Sequence, residues 1–290
     1  MKALLYFTIT AIFWGLNFHL AKVMLLEVRF IEAGFWRYLF GVIPLIIYAY
    51  KQLPTWNIIL NNIRGILLVG VAGLFGFNVF FFLGLQQSAA INGALIISLT
   101  PALTLLFSNQ ILKTKILKKE FLGIIISFIG VLYLILKGNL NGFSEIDFSW
   151  GDIFLLGSAT LFGIQNVWIK QYGTGLSNKH FTLLTNLFCL ISFAIIVPFI
   201  GISDITTYSH SFWLSSIGIG VFGTSVAYLL WNAGIQLSSP NQAGIFINVV
   251  PLSAATFSVL FGEALETYHF ISGLFIIVGV MIIMVKRKSS

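Results

Sequence analysis

Charged side chains inside apolar segments are the residues best placed to do chemistry here, because hydrocarbon makes an ionised group costly unless it finds a partner or a wet cavity. His19 and Lys22 stand about one turn apart near the far end of the first apolar segment. Arg37 lies about two turns into the second segment, and Glu263 closes the ninth. No Asp or Glu falls at the middle of any apolar segment, so a buried carboxylate relay for protons has no candidate. His19 and Glu263 are the candidates for coupling to an ion, with a snorkelling or structural role the alternative for His19. Lys22 and Arg37 read as interfacial anchors able to attract an anionic group. Catalytic signatures are missing: there is no His-Glu-x-x-His, Gly-x-Ser-x-Gly or phosphate-cradling glycine loop. The histidines His19, His180, His210 and His269 fall on alternating sides and Cys189 is the single cysteine. No enzyme activity, metal site, disulfide or cofactor is therefore expected.

Uncharged polar and aromatic residues are more informative. Thr10, Trp14 and Asn17 recur at spacings of four and three, which puts them on one helical face. Ser158, Phe162 and Gln165 repeat that pattern later in the chain, so an aromatic and an amide recur at matching depth, which suits a central ligand cavity. The alternative is that the amides only hydrogen-bond neighbouring helices. Asn78 and Phe81 lie midway along the third segment, Tyr228 and Trp231 share a face of the eighth, and Asn248 precedes Pro251 by three residues. Pro101 and Pro251 fall near mid-helix, where a missing amide permits a bend, and they are the candidate gating positions.

The elements that must position these residues follow from composition. Charged residues are 9% of the 290, against roughly 25% in a soluble domain, and hydrophobic residues reach 58%. A soluble or disordered chain is excluded, and the charges form no basic face for nucleic acid. Ten segments have the length of about 20 residues needed to cross a bilayer. They run near 3–24, 30–50, 63–85, 88–112, 119–137, 150–170, 180–200, 212–236, 240–262 and 267–286. None alternates every second residue, so helices rather than barrel strands are predicted. The first segment lacks a cleavage signature and reads as a retained helix. With the N-terminus in the cytoplasm, the Lys and Arg residues outside Lys22, Arg29, Arg37 and Lys137 all face that side, as the positive-inside rule requires for an odd number of crossings per half and cytoplasmic termini.

The chain also repeats itself with a period of about 150 residues. Gly84-Leu85-Gln86 returns as Gly234-Ile235-Gln236, Ser98-Leu99-Thr100-Pro101 as Asn248-Val249-Val250-Pro251, and Trp14-Gly15-Leu16-Asn17 with Lys22 as Phe162-Gly163-Ile164-Gln165 with Lys170. Five helices per half make the second copy enter from the opposite side, so the fold class is all-α integral membrane with ten transmembrane helices in two inverted-topology five-helix repeats. The repeats cover 1–137 and 150–290, with an external linker at 138–149.

Together with Phe13-Trp14-Gly15-Leu16-Asn17-Phe18, Phe35-Trp36-Arg37-Tyr38-Leu39-Phe40-Gly41 and Leu260-Phe261-Gly262-Glu263, these motifs resemble the drug/metabolite transporter superfamily in its ten-helix, EamA-type form, over essentially the whole chain. One motif departs: family halves often end the fourth helix in Gly-Glu-Arg, kept here as Gly262-Glu263 but replaced in the first half by Leu112-Lys113-Thr114-Lys115. The resemblance implies a multi-pass inner (plasma) membrane secondary transporter of small metabolites, exporting amino acids, aromatic ones included, or related compounds. Its partners would be the solute and the lipid bilayer, without nucleic acid, and monomer and dimer both stay open. The missing central carboxylate points to facilitated diffusion or exchange. The rivals are proton-coupled efflux of drugs or lipophilic cations, a non-transporting receptor and an intramembrane lipid enzyme.

Overall fold

Backbone amides in hydrocarbon must be paired within their own segment, which leaves helices as the solution for long apolar runs without alternation. The computed structural model describes residues 2–51, 53–138, 149–238, 243, 246–247, 249–262 and 264–284. Among these residues there are helices and no strand. In chain order they are α1 (Lys2–Leu25), α2 (Phe30–Ala49), α3 (Trp56–Leu85), α4 (Ala90–Leu112), α5 (Lys118–Ile135), α6 (Trp150–Tyr172), α7 (Asn178–Ile200), α8 (His210–Leu237), α9 (Val249–Leu260) and α10 (Thr267–Met284). Seven of them, α1 to α4 and α6 to α8, are long and apolar enough to cross a membrane. Helix α5 begins on Lys118, Lys119 and Glu120, which lowers its hydropathy. Helices α9 and α10 are shorter apolar helices over the described residues.

The boundaries differ from the sequence expectation mainly at α3, which starts at Trp56 rather than 63 and runs for 30 residues. Its first turns alternate Ile58, Ile59 and Leu60 with Asn57, Asn61 and Asn62, a polar mixture that hides the helix from a hydropathy window. Helices α3 and α8 each widen into a π-helical stretch, Leu68–Phe75 and Val221–Val226. These lie at Gly70 and Gly73 in one helix and Gly223 in the other. Pro101 follows a break in α4 at Ser98 and Leu99, and Pro251 lies within the described part of α9. Most of the 138–149 linker, with Asn248 and Glu263, lies outside the described residues.

Contacts between the helices repeat across the two halves. Helix α1 packs on α8 and α9, and α6 packs on α3 and α4. Thr10 Oγ1 donates to Ala227 O at 3.2 Å, and its counterpart Ser158 Oγ donates to Phe77 O at 3.0 Å. Gly15 lies against Ser253, and Gly163 against Leu103. Helices α5 and α10 make the most extensive pairing, with Gly130 against Ser272, Phe275 and Ile276, and Gly279 against Gly123 and Ser127. Such exchange of partners is what a pseudo-twofold axis between two repeats produces.

Candidate functional site

At mid-bundle seven of the described helices line one small cavity. Helix α1 contributes Trp14, Asn17 and Phe18, α2 Arg37, α3 Phe77 and Phe81, α4 Ile97, α6 Phe162, α8 Tyr228 and α9 Val250, with Ile247 shortly before α9. The wall is mainly aromatic. Trp14 meets Phe162 edge-on at 5.3 Å, Tyr228 at 5.6 Å and Trp231 at 4.8 Å between ring centroids. Phe77 bridges Phe162 at 5.3 Å and Phe81 at 5.6 Å, and Phe18 packs on Phe81 at 5.2 Å. Such ring pairs are worth about 0.5–1.5 kcal/mol each beyond the area they bury. The cavity volume is about 30 Å³, room for about two water molecules and no organic solute.

Larger spaces lie at both ends. A pocket of about 620 Å³ at the end bearing Leu25 and Leu85 is lined by His19, Lys22, Gln86, Ser211, Ser215 and Phe261 among others. One of about 250 Å³ lies at the opposite end, among Lys170, Ser177, Asn178 and Gln236. The basic residues in the two pockets, Lys22 and Lys170, are counterparts in the repeat, yet they behave differently. Lys22 Nζ donates to Leu85 O at 2.8 Å and Ser88 O at 2.9 Å, neutralising the carbonyl end of α3, whereas Lys170 is exposed.

Arg37 is the residue that sequence reasoning placed differently. Expected as an interfacial anchor, it is 2% exposed and faces the central cavity. Its Nε donates to Thr224 Oγ1 at 3.0 Å, and Thr224 Oγ1, inside the π-helical stretch of α8, donates onward to Ile219 O at 3.1 Å just before it. The guanidinium carbon stands 5.7 Å from the Phe81 ring centre and 5.8 Å from that of Tyr38. No described carboxylate pairs with it. Glu32 is occupied by Trp36, Ser203 and Tyr208, Glu27 by Ser209, and Asp152 by Ser88. The available signal was its depth in α2: a cation two turns into a membrane helix marks a functional site by default.

The other candidates divide into wall and support. Trp14, Asn17, Phe81, Phe162 and Tyr228 line the cavity. Trp14 Nε1 and Asn17 Nδ2 also donate to Gly223 O, at 3.1 and 3.4 Å. Thr10 and Ser158 are spent on the helix contacts already described. Asn78 Nδ2 donates to Tyr38 Oη and Leu74 O, both at 2.8 Å, and Trp231 Nε1 donates to Asn166 Oδ1 at 3.2 Å behind the wall. Gln165 is fully buried against Gly73, and neither amide atom has a hydrogen-bond partner. His19 Nε2 pairs with Ala254 O at 3.0 Å and with Ser258 Oγ at 3.5 Å, between the rings of Phe257 and Phe261.

Comparison with known proteins adds a family. The model of the EamA-like transporter family matches residues 1–136 and 149–285. The uncharacterized transporter YyaM of Bacillus subtilis (strain 168) is 31% identical over 284 residues, covering 93% of this chain and 90% of its own. YetK of the same organism, also an uncharacterized transporter, is 25% identical and covers 94% of this chain and 78% of its own. An uncharacterized transporter of Archaeoglobus fulgidus is 24% identical over 99% of this chain. A solved crystal structure at 18% identity superposes with a TM-score of 0.71 over 97% of both chains, a likeness of fold alone.

Proposed function

The chain belongs to the EamA-like transporter family and is a multi-pass membrane transporter, and from that premise we propose that it is a secondary carrier working by alternating access. In this reading ten crossings form the repeats 1–137 and 150–290, and both termini face the cytoplasm from the inner (plasma) membrane. Small metabolites, namely amino acids, aromatic ones included, or related compounds, move outward by facilitated diffusion or exchange. One observation carries the reading: a small aromatic cavity, walled by helices of both halves, lies between end pockets of about 620 and 250 Å³. A carrier needs a central site that is never open to both sides at once, and unequal vestibules fit one conformation of such a cycle. Rocking one repeat against the other would open the seal toward one end at a time.

The test is counterflow in proteoliposomes preloaded with a mixed amino-acid pool and given no ion gradient. Transient accumulation of labelled solute is the expected outcome. Uptake only under a proton gradient would overturn the facilitated reading in favour of proton-coupled efflux. His19 would then be the first residue to change, because it ties α1 to α9 beside the larger pocket.

A further inference from the structure

We propose that the solute at the central site is an organic monoanion whose carboxylate is held by Arg37 while its apolar or aromatic body lies against Trp14, Phe77, Phe81 and Phe162. This rests on the carrier reading of the same cavity and names its substrate class. A guanidinium has five N–H donors, and among the described residues Arg37 spends one of them, Nε, on a neutral hydroxyl. Burying an ionised group costs several kcal/mol unless a counter-charge is supplied. The described protein supplies none at this position. Helix α2 is therefore arranged around an anion that comes from elsewhere, and the planar guanidinium fork matches the two oxygens of a carboxylate.

The lining narrows the class. One cation with no second basic residue in the wall balances one negative charge, so a phosphate monoester, at about −1.5 to −2, would leave charge uncompensated. No described acid lines the cavity to hold an ammonium group. The carboxylate is thus required and an α-amino group is dispensable. The rings now touch one another at 5–6 Å, so a flat or branched apolar body meets them only once the helices part, trading ring–ring contacts for ring–solute ones. Arg37 belongs to the first half and its partner Thr224 to the second, so a bound anion sits where the two halves meet.

The probes are 3-phenylpropanoate, phenylalanine and 2-phenylethylamine, which share a ring and chain length and differ in charged groups. Displacement of radiolabelled 3-phenylpropanoate is measured on the purified full-length protein, and counterflow of the same label in proteoliposomes. Unlabelled 3-phenylpropanoate and phenylalanine are expected to displace the label, the former at least as well, and 2-phenylethylamine at least tenfold less well. Arg37→Gln should weaken carboxylate binding tenfold or more, and Arg37→Lys should recover part of it. If the amine displaces as well as the carboxylate, if the label does not bind, or if Arg37→Gln binds within twofold of wild type, the proposal is overturned. The ligand series on the wild-type protein decides the matter even where Arg37→Gln does not fold. Binding without counterflow would support the anion site and overturn the carrier reading. Counterflow that 2-phenylethylamine inhibits as well as 3-phenylpropanoate does would do the reverse.

Discussion

Two junctions related by the repeat differ in how they are fastened. Where α1 meets the π-helical stretch of α8, Trp14 and Asn17 both donate to Gly223 O, and a side chain at Gly223 would collide with the Asn17 amide. Where α6 meets the corresponding stretch of α3, Phe162 has no donor to offer, and Gln165 lies against Gly73 with its amide unpaired. One frame thus carries a bonded junction and an unbonded one. Two substitutions within the repeat make the difference: an indole replaced by a phenyl ring, and an asparagine amide replaced by the longer glutamine. Symmetric helices do not require symmetric energies, and under the proposed alternating access a gap between the junctions would bias which end stays closed.

The largest test of that difference is to remove both aromatic residues in turn. Trp14→Ala and Phe162→Ala should each cost about 3–5 kcal/mol of stability through the cavity they leave. Both should abolish counterflow, since both line the site. Trp14→Ala should be the worse by about 1 kcal/mol, the value of one net hydrogen bond. Trp14→Phe should recover everything except that increment. Unfolding in detergent measures the costs, and equal losses for the two alanine variants would mean that the indole bond contributes nothing.

The unpaired amide gives a test of opposite sign. A buried amide without a partner costs about 1–3 kcal/mol. Gln165→Leu should therefore stabilise this conformation, while Asn17→Leu should destabilise it by about 1 kcal/mol. If rocking brings Gln165 onto Gly73 O as Asn17 now sits on Gly223 O, Gln165→Leu should also slow counterflow while raising the unfolding temperature. A variant more stable and fully active would remove the functional part of the comparison and leave only the packing.

How much of this was legible from residue order depends on which interaction decides each feature. The faces Thr10-Trp14-Asn17 and Ser158-Phe162-Gln165 could be read because helical period alone groups them. The direction of Arg37 could not, because it depends on how α2 crosses α7 and α8, a tertiary choice with no hydropathy signature. The π-helical stretches were hidden for a similar reason: one extra residue per turn leaves composition unchanged, and only the clustered glycines mark the place. The odd motif Leu112-Lys113-Thr114-Lys115 becomes intelligible in the fold. Lys113 follows the end of α4 at φ 56°, and Gly262 lies just past the end of α9 at φ 82°, so each half turns left-handed after this helix, one repeat position apart, and only the second uses the residue that adopts this without strain.

The smallest expected effect is the control for the whole comparison. Thr10→Val and Ser158→Ala each remove one hydroxyl that donates to a carbonyl in the neighbouring half, at nearly the same length. Each should cost about 0.5–1.5 kcal/mol, the usual net value of such a bond. Because both hydroxyls are buried and their acceptors are equivalent, the two losses should agree within about 0.5 kcal/mol, well inside the spread of such single-bond values. Agreement would show that the frame is balanced and that the asymmetry resides at Trp14, Asn17 and Gln165. If Thr10→Val proved much the costlier, the α1–α8 contact as a whole would be the stronger one, and the contrast at Gly223 and Gly73 would be a consequence of tighter packing rather than its cause.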